Sequence, residues 1–596
     1  MHGHNVDSSK PKDFKKSMSK FIRYCKPYFL AISISLIISM LSAILTIIGP
    51  DRLKVMANVI SDGIKDGIDL NKVKIIAISL VLIYLASAVF GYLDEIIMAT
   101  VTNKFSKVLR RDITNKINKM PLSYFDKHAY GDILSRITND VDTLGQGLNQ
   151  SLSTIVASLT LLLGSILMMF ITNYIMAITA IVSSLFGFLF MGIVISKSQK
   201  YFDLLQKELG NLNGHIEEVY SGHNVVRVYN GVNKANEEFD IINKSLAENV
   251  QKSQFLSELM HPFMGFIGNF SYVCVCIVGS ILAIKGIISF GVIVAFIMYV
   301  RLFNQPLSRL AQSATSLQSC AAASERVFEF LDEEEMSSER NITKKLDKNK
   351  VKGEIEFKHV KFSYDNEKEV IKDFNAKVKP GEKIAIVGPT GAGKTTMVNL
   401  LMKFYDIKEG DILIDGISTK ELSRENIHDL FIMVLQDTWV FEGTIKENVR
   451  YNSKGITDKD IIDTCKTVGL HHFIKTLPDG YDTLLTDNET LSSGQKQLLT
   501  IARGLLEKAP FLILDEATSS VDTRTEELVS KAMDKLMEGR TSFIIAHRLS
   551  TIKNADLILM MNEGNIVEVG THKELLKLNG RYAELYNSQF EKIEDI

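Results

Sequence analysis

Several stretches of this chain lack charged residues for longer than the core of a soluble domain requires. The longest runs from residue 143 to residue 196, and others cover 28–49, 75–93, 262–284 and 286–300. A helix needs about 20 apolar residues to cross the hydrocarbon core of a membrane. We therefore predict six membrane-spanning helices, with the third and fourth sharing the longest stretch and joined by a turn at 171–174. The alternative, buried helices of a large soluble protein, is disfavoured by windows of this length.

The distribution of basic residues predicts an orientation. Lysines and arginines are concentrated between Lys10 and Lys26, before the first window, and between Lys104 and Lys119, after the second. The loop after the first window mixes both signs of charge. Because cytoplasmic loops of membrane proteins are enriched in Lys and Arg, we expect the N-terminus and everything after the sixth window to be cytoplasmic. The chain is then a multi-pass protein of the cell membrane.

The second half of the chain has the composition of a soluble domain. Over all 596 residues, 68 basic and 70 acidic residues give a formal net charge of -2, which argues against nucleic acid held by bulk electrostatics. The stretch 331–352 is charged and poor in apolar residues, as expected of a boundary. We predict a cytoplasmic N-terminal segment at 1–27, a transmembrane domain at 28–320, a linker at 321–350 and a second domain at 351–596.

A phosphate-binding loop follows a β-branched strand in the second domain. The strand, 384–387, is followed by Gly-Pro-Thr-Gly-Ala-Gly-Lys-Thr at 388–395 and then by a helical pattern. The glycines let backbone N–H groups close around phosphates, and the helix N-terminus adds a positive field. We expect Lys394 to reach the β- and γ-phosphates and the Thr395 hydroxyl to ligate Mg²⁺. The other nucleotide-binding residues predicted in this loop are Thr390, Gly391, Gly393 and Thr396.

Two further apolar strands end in groups suited to phosphate hydrolysis. The run "FLILDEATSSVD" places Asp515 at a strand end beside the loop, where it could hold Mg²⁺ directly or through water. Glu516 is the candidate base that orients the attacking water. The run "TSFIIAHRLS" brings His547 to the end of a strand, where it would face the same crevice. Gln436 also follows an apolar run, but its neighbourhood alone indicates no function.

In this order and spacing, the P-loop, Gln436, "LSSGQ", "LILDE", "SSVD" and His547 resemble the nucleotide-binding domain of an ABC transporter. Six spans followed by that domain resemble a half-transporter of the exporter type. The resemblance implies an α-helical membrane domain plus an α/β P-loop NTPase domain, which hydrolyses ATP with Mg²⁺ to drive transport. It also implies that 121–142 and 217–231 are the two cytoplasmic coupling segments.

The resemblance assigns roles to individual positions. Tyr364 would stack on adenine, and Gln436 would sense Mg²⁺ and water. Asp522 would communicate across a dimer, and His547 would hold the γ-phosphate. The signature residues would bind the ATP of a second subunit, so one chain cannot complete a site. They are Leu491, Ser492, Ser493, Gly494 and Gln495.

The signature departs from the family pattern at one position. Ser493 stands where the first glycine belongs, and "LLTDNET" replaces the usual Gly-Glu-x-Gly just upstream. A side chain at 493 crowds the phosphate and costs about 1 kcal/mol if φ is positive there. This chain's own catalytic motifs, by contrast, match the family. The combination of an altered signature with intact catalytic motifs resembles one subunit of bacterial heterodimeric multidrug exporters, in which the partner subunit holds a degenerate site. The alternative is that a small serine is simply tolerated.

The membrane half contains an adjacent pair of carboxylates. Asp94 and Glu95 follow the second window, and an intramembrane carboxylate usually faces a cavity or a partner charge. Together with Arg301 they could line a cavity for a cationic substrate. Alternatively, they lie near the cytoplasmic rim, or pair with a basic residue such as Arg301. A set of phenylalanines and methionines in the later windows could line an adaptable pocket, although packing against lipid or neighbouring helices is the expected role of most of them. They are Met168, Met169, Phe186, Phe188, Phe190, Met191, Phe263, Phe266, Phe296 and Met298.

The function expected from these features is export of amphiphilic drug-like or lipid-like compounds by alternating access. The alternatives are a homodimeric lipid flippase or multidrug exporter, and an ATP-gated channel or sensor. Glu516 and His547 favour turnover over gating, because a regulator can lose both.

Overall fold

The structure is a computed structural model that describes residues 13–364, 369–435, 438–453, 455–485, 491–515, 523–546 and 549–590. The described residues form two compact units. The helical unit comprises 13–118 and 130–333, and the α/β unit comprises 119–129 and 334–590. The short segment 119–129 therefore belongs to the same unit as the P-loop, although it lies between two predicted spans.

The first twelve helices carry the apolar windows and the segments between them. In chain order they are α1 (Phe14–Tyr24), α2 (Phe29–Asp66), α3 (Leu70–Ile117), α4 (Leu122–Lys127), α5 (Tyr130–Ser135), α6 (Val141–Gln146), α7 (Leu152–Thr172), α8 (Tyr174–Ser221), α9 (His223–Val228), α10 (Val232–Glu258), α11 (Met260–Ile284) and α12 (Phe290–Asp332). All belong to the helical unit except α4, which lies in the α/β unit.

Within the described residues, five helical stretches are long and apolar enough to cross a membrane. They are Lys26–Ile64, Leu70–Ile117, Tyr130–Thr172, Gly265–Ile284 and Phe290–Asp332, and Tyr174–Gly187 adds a shorter apolar helix. The turn predicted at 171–174 is confirmed. Asn173 has an extended backbone, and its side-chain oxygen accepts from the N–H groups of Ile175 and Met176, 3.1 Å away in each case, which starts α8.

The helices extend well beyond the apolar windows that predicted them. In α3, Phe105, Leu109 and Ile113 lie one turn apart and are fully buried, so packing continues the helix past the window's end at Leu93. The sixth helix differs from the prediction in the same way. It runs to Asp332, past residue 321 where the linker was expected, because a row of small residues is buried against neighbouring helices. These residues are Cys320, Ala321, Ala322 and Ala323.

The α/β unit contains two main sheets. Its strands are β1 (Ile355–Phe362), β2 (Ile371–Val378), β3 (Lys383–Val387), β4 (Glu409–Ile414), β5 (Ile417–Ser418), β6 (Phe431–Val434), β7 (Gly443–Thr444), β8 (Leu484–Leu485), β9 (Phe511–Asp515), β10 (Thr541–Ile545), β11 (Leu557–Asn562) and β12 (Asn565–Gly570). One sheet has the order β2-β1-β4-β5 and is antiparallel. The other has the order β12-β11-β3-β10-β9-β6 and is parallel from β11 to β6.

The helices of this unit follow the strands. They are α13 (Lys394–Leu401), α14 (Arg424–Leu430), α15 (Ile445–Arg450), α16 (Asp458–Thr467), α17 (His471–Thr476), α18 (Ser493–Leu506), α19 (Thr523–Met537), α20 (Leu549–Lys553), α21 (His572–Leu578) and α22 (Arg581–Phe590). In β9, Leu512 and Leu514 pack into one buried cluster and Phe511 and Ile513 into another. Because side chains alternate along a strand, the sheet is covered on both faces, as parallel sheets require.

We expect Gly291→Ala to destabilise the helical unit. The Gly291 N–H donates to Asn58 Oδ1 at 2.8 Å, and a Cβ at this position would collide with the carbonyl oxygen of Lys54. Since backbone cannot move aside as a flexible side chain can, the cost should be about 3 kcal/mol. Thermal unfolding of the detergent-solubilised full chain measures it.

Gly210→Ala is the matched control, because Gly210 is also helical and a Cβ there meets nothing within 4 Å. It should be neutral or slightly stabilising. Equal unfolding temperatures for the two variants would contradict the close approach of α2 and α12 at Gly291.

Candidate functional site

The P-loop lies between the end of β3 and the start of α13. Gly391 and Gly393 have φ angles of 84° and 98°, in the left-handed region that favours glycine. A Cβ at Gly393 would stand 2.9 Å from Ile371 Cδ1, and one at Gly388 would collide with the carbonyl oxygen of Met561. The backbone of the loop therefore packs closely against the end of β11. A loop of this kind opening a helix suits an anion, so the residues present fit the phosphates of ATP.

The side chain of Lys394 forms hydrogen bonds with the preceding part of the loop. Its ammonium donates to the carbonyl oxygens of Gly388 at 2.7 Å and Pro389 at 3.1 Å. Burial lowers the pKa of Lys394, and the nearby negative charge of Asp515 partly opposes this. Asp515 ends β9, two strands from β3 with β10 between them. Lys394 and Asp515, the predicted lysine and one predicted metal ligand, are therefore close enough for their charges to interact.

The other predicted residues at the P-loop differ in exposure. Thr390 and Thr395 are exposed, whereas Thr396 is buried. The Thr396 hydroxyl is 3.0 Å from the hydroxyl of Tyr364, the predicted adenine-stacking residue, which is 42% exposed. The structure thus joins Tyr364 to the start of the P-loop helix.

Four predicted residues lie outside the described residues: Gln436, Glu516, Asp522 and His547. The strands that lead to three of them are described. β6, β9 and β10 run parallel to one another and end at Val434, Asp515 and Ile545. Because the carboxyl ends of parallel strands meet at one edge of a sheet, these strands lead toward the edge at which β3 enters the P-loop.

The signature residues begin α18. Ser492 caps the helix, since its hydroxyl accepts from the Gln495 N–H at 3.3 Å and the Gln495 side chain accepts from the Ser492 N–H at 2.9 Å. Leu491 and Gly494 are buried. Ser493 is exposed, is the first helical residue and does not have a positive φ. The free-energy cost of a positive φ, considered above for a serine at 493, therefore does not arise. Of the two expected effects of this serine, only crowding of the phosphate is left.

Arg503 is a structural residue of this helix that the sequence did not reveal. Its guanidinium donates to the Asn448 carbonyl at 2.6 Å, the Asn448 side-chain oxygen at 2.7 Å and the Trp439 carbonyl at 2.8 Å. It also lies over the rings of Phe441 and Tyr451, 5.6 and 5.5 Å from their centroids. Arg503 thereby fastens α18 to 439–451, the segment that follows Gln436.

Asp94 is buried among helices of the helical unit. The Ser35 hydroxyl on α2 donates to Asp94 Oδ1, and the Ser153 hydroxyl on α7 lies 3.1 Å from the same oxygen. Glu95 and Arg301 are both exposed. Among the described residues, neither Asp94 nor Glu95 forms an ion pair with Arg301, so the structure does not bring the three predicted residues together. Asp94 instead ties three helices through hydroxyl groups.

An apolar recess of about 360 Å³ lies between α8 and α11. It is lined by Phe186, Gly187, Phe263, Phe266, Ile267 and Phe270. Three of these phenylalanines were among the residues expected to line an adaptable pocket. By contrast, Met169 and Phe296 are fully buried in the packing between α7, α8, α11 and α12.

The fold and this site together define a class of protein. A P-loop ATPase of parallel α/β architecture shares one chain with helices long enough to cross a membrane, which is the arrangement of an ATP-driven membrane transporter. Residues 32–307 match the model of the ABC transporter transmembrane region, and 371–519 match that of the ABC transporter.

Curated relatives cover most of the chain. A fatty acid ABC transporter ATP-binding/permease protein of Mycobacterium bovis is 42% identical over 87% of this chain and 82% of its own length. An ATP-dependent lipid A-core flippase of Syntrophus aciditrophicus is 34% identical over 87% and 86%. A probable multidrug resistance ABC transporter ATP-binding/permease protein of Bacillus subtilis is 34% identical over 84% and 75%. The chain belongs to the ABC transporter family and is an exporter-type ATPase coupled to membrane transport.

We expect Arg503→Met to loosen the segment that carries Trp439. The substitution removes three hydrogen bonds from a half-buried cation, so the free energy of unfolding should fall by about 2 to 3 kcal/mol. Trp439 is the single tryptophan of the chain. Its time-resolved fluorescence anisotropy should therefore decay faster in the variant.

Arg581→Met is the control for this prediction. Arg581 is exposed and pairs with Glu584 at 3.2 Å, so its replacement should change stability by less than about 0.5 kcal/mol. Unchanged anisotropy in Arg503→Met would show that Arg503 does not hold the segment.

Proposed function

We propose that this transporter moves amphiphilic, lipid-like compounds out of a bacterial cell, with its N-terminus and α/β unit in the cytoplasm. The observation that carries the proposal is the P-loop, whose Lys394 feels the negative charge of Asp515, in a chain whose other unit consists of long apolar helices. Relatives named for fatty acid, lipid A-core and multidrug transport support a substrate with an apolar part.

The chemistry is divided among a few residues under this proposal. The ammonium of Lys394, now held by two carbonyl groups, exchanges them for the β- and γ-phosphate oxygens. Thr395, Asp515 and Gln436 would hold Mg²⁺, which offsets negative charge on the phosphates. Glu516 orients the attacking water, and His547 holds the γ-phosphate.

The apolar recess between α8 and α11 supports the substrate class. Its volume of about 360 Å³ falls at the lower end of small-molecule sites. Its lining consists of apolar residues, four of them phenylalanines, so it offers contact area without a polar requirement. Such a surface accepts alkyl or aryl groups of varied shape, which suits a lipid-like amphiphile.

The charged residues of the membrane half divide by exposure. Asp94 is occupied by two serine hydroxyls, whereas Glu95 on α3 and Arg301 on α12 are exposed. We assign Glu95 to positively charged head groups and Arg301 to negatively charged ones. Asp94 then has a structural role, which differs from both interpretations left open by the sequence.

Glu95→Gln should lower transport of a cationic amphiphilic dye about fivefold, which corresponds to roughly 1 kcal/mol of lost attraction. Transport of a neutral amphiphile of similar size should not change. Asp94→Asn is the matched control, because its amide oxygen still accepts from Ser35 and Ser153. Uptake of each compound into inverted vesicles is measured for the unmodified chain and for both variants. If Asp94→Asn alone reduced dye uptake, the assignment of the two carboxylates would be reversed.

For the dimer, we propose that this chain pairs with a different subunit whose own ATP site is degenerate. Support comes from the sequence, where Ser493 and 484–490 depart from the family while the P-loop, Asp515 and Glu516 match it. The hydrolytic site would combine this chain's P-loop with the partner's signature. A homodimer is the second candidate, and one observation favours it: Ser493 opens α18 without backbone strain.

Reconstitution of this chain alone separates the two assemblies. A heterodimer subunit should show neither ATP-driven uptake into inverted vesicles nor hydrolysis above that of Glu516→Gln, the variant that lacks the base. A homodimer should transport, and its hydrolysis should exceed that of Glu516→Gln by about a hundredfold or more. In that second case Ser493→Gly should change kcat less than about twofold. Full transport by the chain alone would contradict the heterodimer.

A further inference from the structure

Tyr405 occupies a position between the P-loop and the short helix α4. It follows α13 in the chain and is half-buried. Its hydroxyl donates to the carboxylate of Asp126, which lies on α4 and is 279 residues away in sequence. Both residues belong to the α/β unit, so this contact is internal to the unit that contains the nucleotide site.

The ring of Tyr405 contacts the ring of Tyr364. Their centroids are 5.0 Å apart and the planes are nearly perpendicular, at 89°. Phe362 packs against both tyrosines, 4.9 Å from Tyr364 and 5.6 Å from Tyr405. Edge-to-face pairs of this kind have a preferred geometry, so the two neighbours restrict how the Tyr364 ring can turn.

Tyr364 is held at its other end by the P-loop helix, since its hydroxyl lies 3.0 Å from that of Thr396. Its ring is therefore fixed by two ring edges and one hydroxyl contact. The hydroxyl of Tyr405 links this chain of contacts to α4.

The bond between Tyr405 and Asp126 has a defined donor. Burial raises the pKa of the Tyr405 hydroxyl, and the neighbouring Asp126 carboxylate raises it further. The Tyr405 hydroxyl therefore stays protonated and donates a hydrogen bond to the Asp126 carboxylate, and a hydrogen bond to a carboxylate is of the stronger kind. The contact fixes the direction of the Tyr405 side chain as well as its position.

We propose that Tyr405 is a positioning residue for adenine recognition: its ring orients Tyr364, and its hydroxyl ties that orientation to Asp126 on α4. The segment 121–127 thereby sets how tightly the site holds the base of ATP, as distinct from its phosphates. This inference rests on the proposed role of Tyr364 as the residue that stacks on adenine.

Comparison of ATP with inorganic tripolyphosphate tests the proposal, because tripolyphosphate has the phosphates without the base. Dissociation constants of both are measured by competition on the full chain in lipid nanodiscs, and their ratio reports the contribution of the base. Tyr405→Leu should weaken ATP about threefold to tenfold and leave tripolyphosphate unchanged. A purely structural loss would weaken both ligands alike.

Substitutions at the hydrogen bond test the link to α4. Tyr405→Phe and Asp126→Ala each remove it and should weaken ATP by the same factor, about twofold to fivefold. The double variant should be no weaker than either single variant. Asp126→Asn should restore ATP binding, because its amide oxygen can accept the same bond. Additive effects of the two single variants would overturn the link.

Tyr481→Phe is the matched control for the loss of a phenol hydroxyl. Tyr481 is also half-buried, and its hydroxyl is 2.8 Å from His471 Nδ1. The ratio of the two dissociation constants should be that of the unmodified chain.

Tyr364→Leu separates this inference from the proposal on which it rests. If Tyr364→Leu leaves the ratio unchanged, Tyr364 does not stack on adenine and the proposed role is wrong. If Tyr364→Leu weakens ATP but Tyr405→Leu and Tyr405→Phe do not, the adenine site stands and only the positioning role of Tyr405 fails.

Discussion

A backbone N–H or C=O group without a hydrogen-bond partner costs several kcal/mol in hydrocarbon, so a chain that repeatedly enters a membrane must do so as helices. The helices of this protein greatly exceed the length that this constraint requires. α3 and α8 each have 48 residues, which corresponds to roughly 70 Å at the helical rise, whereas a hydrocarbon core is about 30 Å thick. The excess continues each helix past its apolar part, and in α3 ordinary core packing such as that of Phe105 and Leu109 maintains it.

The sequence predicted the centres of these helices but not their ends. An uncharged window is a local property, and it is sufficient because the membrane acts on each segment separately. The ends depend on contacts made elsewhere in the fold. The continuation of α12 to Asp332 follows from the packing of alanines 321–323, which no local charge pattern indicates. The inclusion of 119–129 in the α/β unit depends in the same way on residues far along the chain.

The residues of the site differ in the same way: those defined by local sequence could be predicted, and those defined by distant contacts could not. Lys394 could be predicted to belong to a phosphate site because the motif that defines it is short, at 388–395. Arg503 could not, because it binds a carbonyl 55 residues away, and an arginine in a helical pattern is usually solvated. Asp94 was recognised as unusual, but its serine partners lie 59 residues before and after it. The backbone conformation of Ser493 could not be predicted either, because it depends on where α18 begins, and the motif alone does not define that position.

The small helix α4 has a consequence for how the protein is made. Asp126 leaves the ribosome together with the membrane helices, whereas Tyr405 follows 279 residues later. At typical synthesis rates this interval is on the order of tens of seconds. Until residue 334 is made, the first piece of the α/β unit has nothing of its own unit to pack against. A fragment that starts at residue 334 would likewise expose the part of its surface that 119–129 covers in the full chain.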